Sequence, residues 1–220
     1  IYEMQGDWAR VVETCEQALE LAKLSPKDKE AWLTRQVMAT LQGLGDIETA
    51  RETCQTWLEA ASSTQEPLRV MAAIERTRAD WESLDEILER RIAVMTDPNQ
   101  RAELLVERAT IALHERARHG LAATYATQAS ELLAPEATFE PLMALLDELV
   151  QLSVTRREAA VLLETRARET QQWVRLCAAL EARRLDAESP KHIERLTLEL
   201  AAIHKEHFQD EGAALRTVLQ

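Results

Sequence analysis

The sequence predicts an all-α solenoid, a stack of antiparallel helix pairs. Three observations carry that prediction. First, strong helix formers (Ala, Leu, Glu and Arg) dominate a chain with 5 Gly and 6 Pro, and β-branched residues nowhere alternate as a strand requires. Second, residues 81–128 slide by 92 positions onto 173–220 without a gap and agree at 13 of 48 positions. Third, the matches fall where helices need them. Trp81/Trp173, Leu84/Leu176 and Leu88/Leu180 recur in steps of three and four, on one helical stripe. Pro98/Pro190 and Gly120/Gly212 mark loops and turns.

Taken in order, the first residues read as the tail of a helix and its turn. Helices are then predicted over 8–23, 28–43, 46–61, 66–78, 81–95, 100–116, 120–133, 138–152, 156–170, 172–186, 191–207 and 211–220. Breaks fall at Ser25-Pro26, Ser62-Ser63, Asp97-Pro98, Pro135 and Ser189-Pro190. At the prolines the missing donor and the ring clash stop a helix interior. A second self-match, of residues 6–22 onto 45–61, agrees at eight of 17 positions, among them Gly6/Gly45, Asp7/Asp46 and Cys15/Cys54. Ala79-Asp80-Trp81 is a third copy of that turn. Asp7, Asp46 and Asp80 each precede a helical pattern, where a carboxylate caps free N–H groups and meets the positive end of the helix dipole. The 92-residue period contains five helical segments, whereas alternating pairs need an even number. Either 156–186 is one long helix, or the pairing changes phase near 138–170. Both ends read as lying inside a repeat, so the expectation is one array over 1–220, a piece of a longer repeat protein.

These residues resemble the tetratricopeptide family. Ala31-Trp32-Leu33 looks like the start of that family's first helix, and Gly6-Asp7-Trp8 and Gly45-Asp46-Ile47 like its inter-helix turn. Ala50 looks like the small second-helix residue, Ala18-Leu19 like the Ala-Leu pair and Pro26 like the closing proline. The pattern departs at Arg35-Gln36, where Leu-Gly is expected, at Trp57, where a small residue is expected, and in a first helix of the second unit about two residues too long. The match is good over residues 1–62 and looser beyond. The resemblance implies a right-handed superhelix whose first helices line a concave groove for partner peptides.

A net charge of −12 repels nucleic acid on average. No run of 18 apolar residues exists to span a membrane. Cys15, Cys54 and Cys177 are odd in number and fit neither a zinc nor a disulfide spacing. They read as small apolar residues in a reducing, cytoplasmic setting.

Candidate chemistry is thin. His114 and His119 are five apart rather than the four of a zinc-protease helix, so their rings diverge. His204 and His207 share a face and could hold half of a metal site near Asp210 and Glu211, but no third ligand is indicated. Acidic stripes such as Glu13, Glu16 and Glu20 suit a solvated face paired with Arg. No phosphate loop or nucleophile elbow is present. The expectation is therefore a protein that is not an enzyme and needs no cofactor.

Trp8, Trp81 and Trp173 share the start of a second helix and are expected to pack between the helices of a pair. Trp57 breaks the small-residue pattern and is the stronger candidate for an exposed anchor. Arg69 and Arg76, and Arg101 and Arg108, are seven apart, so each pair lies along one helix face. If these are groove-lining first helices, the four arginines form a patch that clamps carboxylates of a protein partner. The function expected is an interaction scaffold for a protein segment or a neighbouring domain. The alternatives are a regulatory or sensor arm of a larger enzyme and a structural spacer.

Overall fold

The computed structural model describes residues 2–20, 24–61 and 63–219. The expected helix end at 23, the Ser62 half of one break and Gln220 lie outside the described residues. Those residues form helices and no strand, and they gather into two compact units, Ile1–Thr96 and Asp97–Gln220.

The first unit holds α1 (Tyr2–Gln5), α2 (Trp8–Glu20), α3 (Pro26–Met38), α4 (Ile47–Ala60), α5 (Gln65–Arg78) and α6 (Trp81–Val94). The second holds α7 (Pro98–His114), α8 (His119–Leu132), α9 (Glu140–Gln151), α10 (Arg156–Glu169), α11 (Trp173–Leu185), α12 (Pro190–Glu206) and α13 (Glu211–Leu219). Each expected helix has its counterpart. Pro26, Pro98 and Pro190 stand at the first turn of α3, α7 and α12, where a missing N–H costs nothing.

Hairpins α1·α2, α3·α4, α5·α6, α7·α8, α10·α11 and α12·α13 share one turn. Its first residue is left-handed: Gly6, Gly45, Ala79, Ala117, Gln171 and Gln209, with φ between 49° and 70°. The next amide folds back onto a carbonyl of the first helix. Asp80 N–H reaches Glu75 O at 3.1 Å, and Gln172 N–H reaches Ala167 O at 2.8 Å. After α7 and α12 the bond spans one residue more, from Arg118 to Ala112 at 2.7 Å and from Asp210 to His204 at 3.0 Å. Where an aspartate follows, its carboxylate caps the second helix as expected. Asp7 accepts from Arg10 N–H at 3.3 Å, Asp46 from Thr49 at 3.1 Å and Asp80 from Ser83 at 3.1 Å.

The overlong first helix has a local solution. After Met38 it widens into a π-helical turn, Ala39–Leu44, which absorbs the extra residues before Gly45 ends it. That turn brings Gly43 against Trp8, so closely that a Cβ on Gly43 would lie 2.3 Å from the indole Cγ. Trp173 does the corresponding thing in the second unit, stacking on His207 with ring centroids 3.6 Å apart and planes within 11°. Gly43 and His207 each stand two residues before a left-handed turn residue. These two tryptophans therefore lie on the next hairpin rather than between the helices of their own, which corrects the expectation. Trp57 is corrected too: α4 turns it inward with Ala50, Cys54 and Leu58, and it is 1% exposed.

The pairing puzzle resolves through α9. Left-handed Gln171 separates α10 from α11, so 156–186 is not one helix. Instead α9 stands outside the pairs and touches α7, α8, α10 and α11. It has the composition for that place, burying Leu142, Met143, Leu145, Leu146, Leu149 and Val150, each worth about 1.5–3 kcal/mol when buried from water. Polar groups fix its ends. Buried Arg166 donates to the carbonyls of Ala134 and Ala137 in the preceding loop, at 3.1 and 2.6 Å. The Thr155 hydroxyl donates to Leu149 O at 2.7 Å. Arg175 of α11 binds Asp147 at 2.8 Å and also grips Glu140.

Two buried glutamates tie hairpins together. Glu75 accepts from Arg51 of α4 and from Arg78, each at 2.6 Å. Glu164 pairs with Arg168 and with Arg183 of α11, and Arg168 continues to Glu199 of α12.

Two outcomes are expected. Gly43→Ala drives a methyl into the Trp8 ring and lowers stability by about 1–3 kcal/mol, read from denaturant unfolding followed by tryptophan fluorescence. The second concerns pH. The Thr49 N–H, then its hydroxyl, holds the Asp46 carboxyl below the usual 3.8, and the Ser83 N–H does the same for Asp80. A depressed carboxylate contributes stability that is present above its unfolded value and lost as pH falls through the folded one. Asn retains the capping oxygen without titrating. Asp46→Asn/Asp80→Asn therefore flattens the fall in melting temperature below about pH 4 relative to wild type.

Candidate functional site

Helix α3 builds an open cleft. Ser25 caps it, accepting from Asp28 N–H at 3.2 Å while donating to the Asp28 carboxylate at 2.6 Å. From there one face buries Leu33, Gln36 and Val37. The other carries Asp28, Trp32, Arg35, Met38 and Gln42 in steps of three and four, and with Trp8 of α2 it lines a cleft of about 720 Å³. Both indoles are half-buried and anchored from beneath by Val11, Cys15 and Ala39. The Arg35 guanidinium lies 5.6 Å from the Trp32 ring centroid, where the ring quadrupole favours a cation.

The volume is in the range of a site for a side chain or small ligand. Its surface offers two aromatic faces, a thioether and one cation. Such a surface can grip an apolar side chain and steer a neighbouring carboxylate. The sequence contained the signal in Trp8 and Trp32, but not the open space between them. That depends on the π-helical turn, which periodicity does not reveal.

The four arginines are placed as follows. Arg69 is exposed on α5 and already grips Glu66, its Nε donating at 2.9 Å. The pairing holds the Glu66 carboxyl below its usual range. Arg76 is exposed on the same helix and also engaged. Arg101 is half-buried on α7, and its Nε has no hydrogen-bond partner among the described residues. Arg108 is 7% exposed; it lies 4.3 Å over the Tyr125 ring of α8 and donates to the Tyr125 hydroxyl at 2.8 Å. Spacing alone could not tell which stripe of α7 faces its own hairpin partner.

The histidine pairs do not converge. His114 contacts Glu148 at 3.1 Å, while His119 begins the next helix. His207 stacks on Trp173, and His204 tilts against Phe208. No group of three or more metal-ligating side chains gathers among the described residues. Cys15, Cys54 and Cys177 are buried thiols outside any disulfide, as their apolar reading expected. Burial pushes the Cys54 thiol up to about 12 and that of Cys177 to about 11. No helix among the described residues is long and apolar enough to cross a membrane.

Repeated hairpins, one shared left-handed turn and an indole laid on the next hairpin describe one architecture. The fold is tetratricopeptide-like. It resembles the C-terminal part of a TPR repeat-containing protein from Cytophaga hutchinsonii, with a TM-score of 0.53 over 99% of this chain and 92% of that one. At 10% identity the likeness is one of fold. No family model and no curated protein matches the sequence.

The arginines separate by a stability measurement. Arg108→Ala removes a buried hydrogen bond to the Tyr125 hydroxyl and a cation–π contact, for a loss of about 1–3 kcal/mol. Arg69→Ala breaks an exposed pair and changes stability by less than about 1 kcal/mol. Chemical denaturation of both variants checks the contrast.

Proposed function

We propose that this chain is a non-enzymatic scaffold that binds a protein segment, and that the α3 cleft is where the segment docks. The observation that carries this reading is the pair of half-buried indoles facing one open cleft, Trp32 on the first helix α3 and Trp8 on the preceding α2. A fully packed repeat has no need to leave two tryptophans part-exposed around a void, whereas binding hot spots favour aromatic anchors. The cleft's charged groups suit recognition rather than turnover. Asp28 is tied to Ser25, and Arg35 lies by Trp32.

The partner is a peptide stretch with an apolar side chain for the indoles and a carboxylate for Arg35. The −12 charge of the chain disfavours nucleic acid. Arg69 and Arg76, exposed on the first helix α5, add affinity for further acidic residues of the same partner, Arg69 by exchanging Glu66 for the ligand's carboxylate. Buried Arg108 serves the α7·α8 hairpin instead.

Affinity capture from native lysate tests this with three baits: wild type, Trp32→Ala and Arg69→Glu/Arg76→Glu. The expected result is a protein retained by wild type, reduced at least about tenfold by Trp32→Ala and less by the arginine reversal. Circular dichroism verifies that each bait is folded. Equal retention by wild type and Trp32→Ala overturns the cleft. Retention by none of the baits favours a spacer.

A further inference from the structure

The 92-residue offset also holds further back, keeping the left-handed residues Ala79 and Gln171 in register. It makes α10·α11 the counterpart of α5·α6, and the two hairpins treat their open ends differently. In α5·α6 the Gln65 amide, at the start of the first helix, donates to the Val94 carbonyl at the end of the second, at 3.3 Å. In α10·α11 the counterparts are Arg157 and Asp186. Asp186 turns to Arg156, at 3.5 Å, and Arg157 does not span the gap. The result is a cleft of about 230 Å³ within the second unit, between α10, the end of α11 and the first turn of α12. Its lining residues all fall between Arg157 and His192, and α12, its outer wall, is backed by α13.

Four charged side chains face this cleft, and two of them are matched from within. Arg156 answers Asp186, and Glu164 of α10 answers Arg183. The other two, Arg157 and Glu188, are exposed, and their side chains engage no partner among the described residues. His192 adds an unsatisfied group. Its Nε2 is shielded from water and has no hydrogen-bond partner among the described residues, although polar atoms so placed are normally bonded. Ser189 stands at the N-cap of α12 without a side-chain capping bond, whereas its counterpart Asp97 accepts from Asn99 N–H at 3.0 Å. The start of α7 thus carries a built-in carboxylate that the start of α12 lacks.

One unmatched cation and one unmatched carboxylate set the chemistry of the occupant. A simple anion would meet Glu188, and a simple cation would meet Arg157. A group that satisfies both is neutral overall with its charges separated. We infer that this cleft binds a small zwitterion, a free α-amino acid, its carboxylate on the Arg157 guanidinium and the His192 Nε2–H and its ammonium on Glu188. The volume suits a ligand below drug size. The bound molecule bridges α10 to the connection before α12, doing at this hairpin what the Gln65–Val94 bond does at its counterpart. The cleft is separate from that of α3, and the two readings stand or fall independently.

The test is an NMR titration of the whole ¹⁵N-labelled 220-residue chain with L-alanine at constant pH and ionic strength. Saturable shifts are expected at the Lys191 and His192 amides. Arg157→Ala and Glu188→Gln each weaken the binding at least about tenfold. Both positions are exposed and unpaired, so each variant keeps the melting temperature of the ligand-free wild type. Sodium acetate and methylammonium chloride, which carry one charge each, bind at least about tenfold more weakly than L-alanine. Shifts that rise without saturating, or that Arg157→Ala leaves intact, overturn the inference. So does acetate binding as tightly as L-alanine, because the site is then one for a carboxylate alone.

Discussion

In each unit one junction between hairpins is made by an indole laid across the end of the neighbouring first helix. A repeat array has no closed core, so each hairpin is only as firmly placed as its contacts with the next. Trp8 on Gly43 and Trp173 on His207 are the same device met with different partners. One partner has no side chain, and the ring presses on backbone. The other presents a ring of its own. Both solutions need the first helix to arrive at a fixed distance, and the left-handed turn two residues later sets where that helix stops. Turn, helix length and indole thus form one constraint.

Charge supplements this contact where apolar surface is scarce. Glu75 and Glu164 are buried on first helices, and each is enclosed by two arginines, some of them drawn from other helices. Removing one member would leave a charge stranded in a poorly solvated place, which costs far more than the intact pair contributes. Such networks specify which hairpin sits next to which, because an array of similar apolar stripes offers many near-equivalent registers. Arg175 does this for α9, reaching Glu140 near its start and Asp147 near its middle.

Much of the helix layout was legible in the chain because its signals are local. Proline at the first turn, aspartate at the cap and a glycine or its substitute in the left-handed position act within a few residues. The fold class followed from their recurrence. What stayed hidden depends on contact between distant segments. The period of 92 held an odd number of helical segments, which left open one long helix over 156–186 or a change of pairing phase near 138–170; packing decides for an unpaired helix, α9. The spacing of Arg101 and Arg108 placed them on one stripe, but the direction of that stripe is set by Tyr125 on another helix. Trp57 broke a sequence pattern without breaking the structure, since its neighbours leave room for an indole inside. The cleft beside Trp32 rests on a π-helical turn for which hydrophobic periodicity has no sign.

The buried thiols carry one more consequence. Cys15 and Cys54 lie in the first unit and Cys177 in the second, each shielded from water. A thiol reacts with an alkylating reagent as its thiolate, so each waits for its surroundings to open before it is modified. Labelling rates at native conditions therefore act as built-in clocks of local opening, with no foreign probe introduced. A mass spectrum taken along such a time course would read the breathing of one unit separately from that of the other.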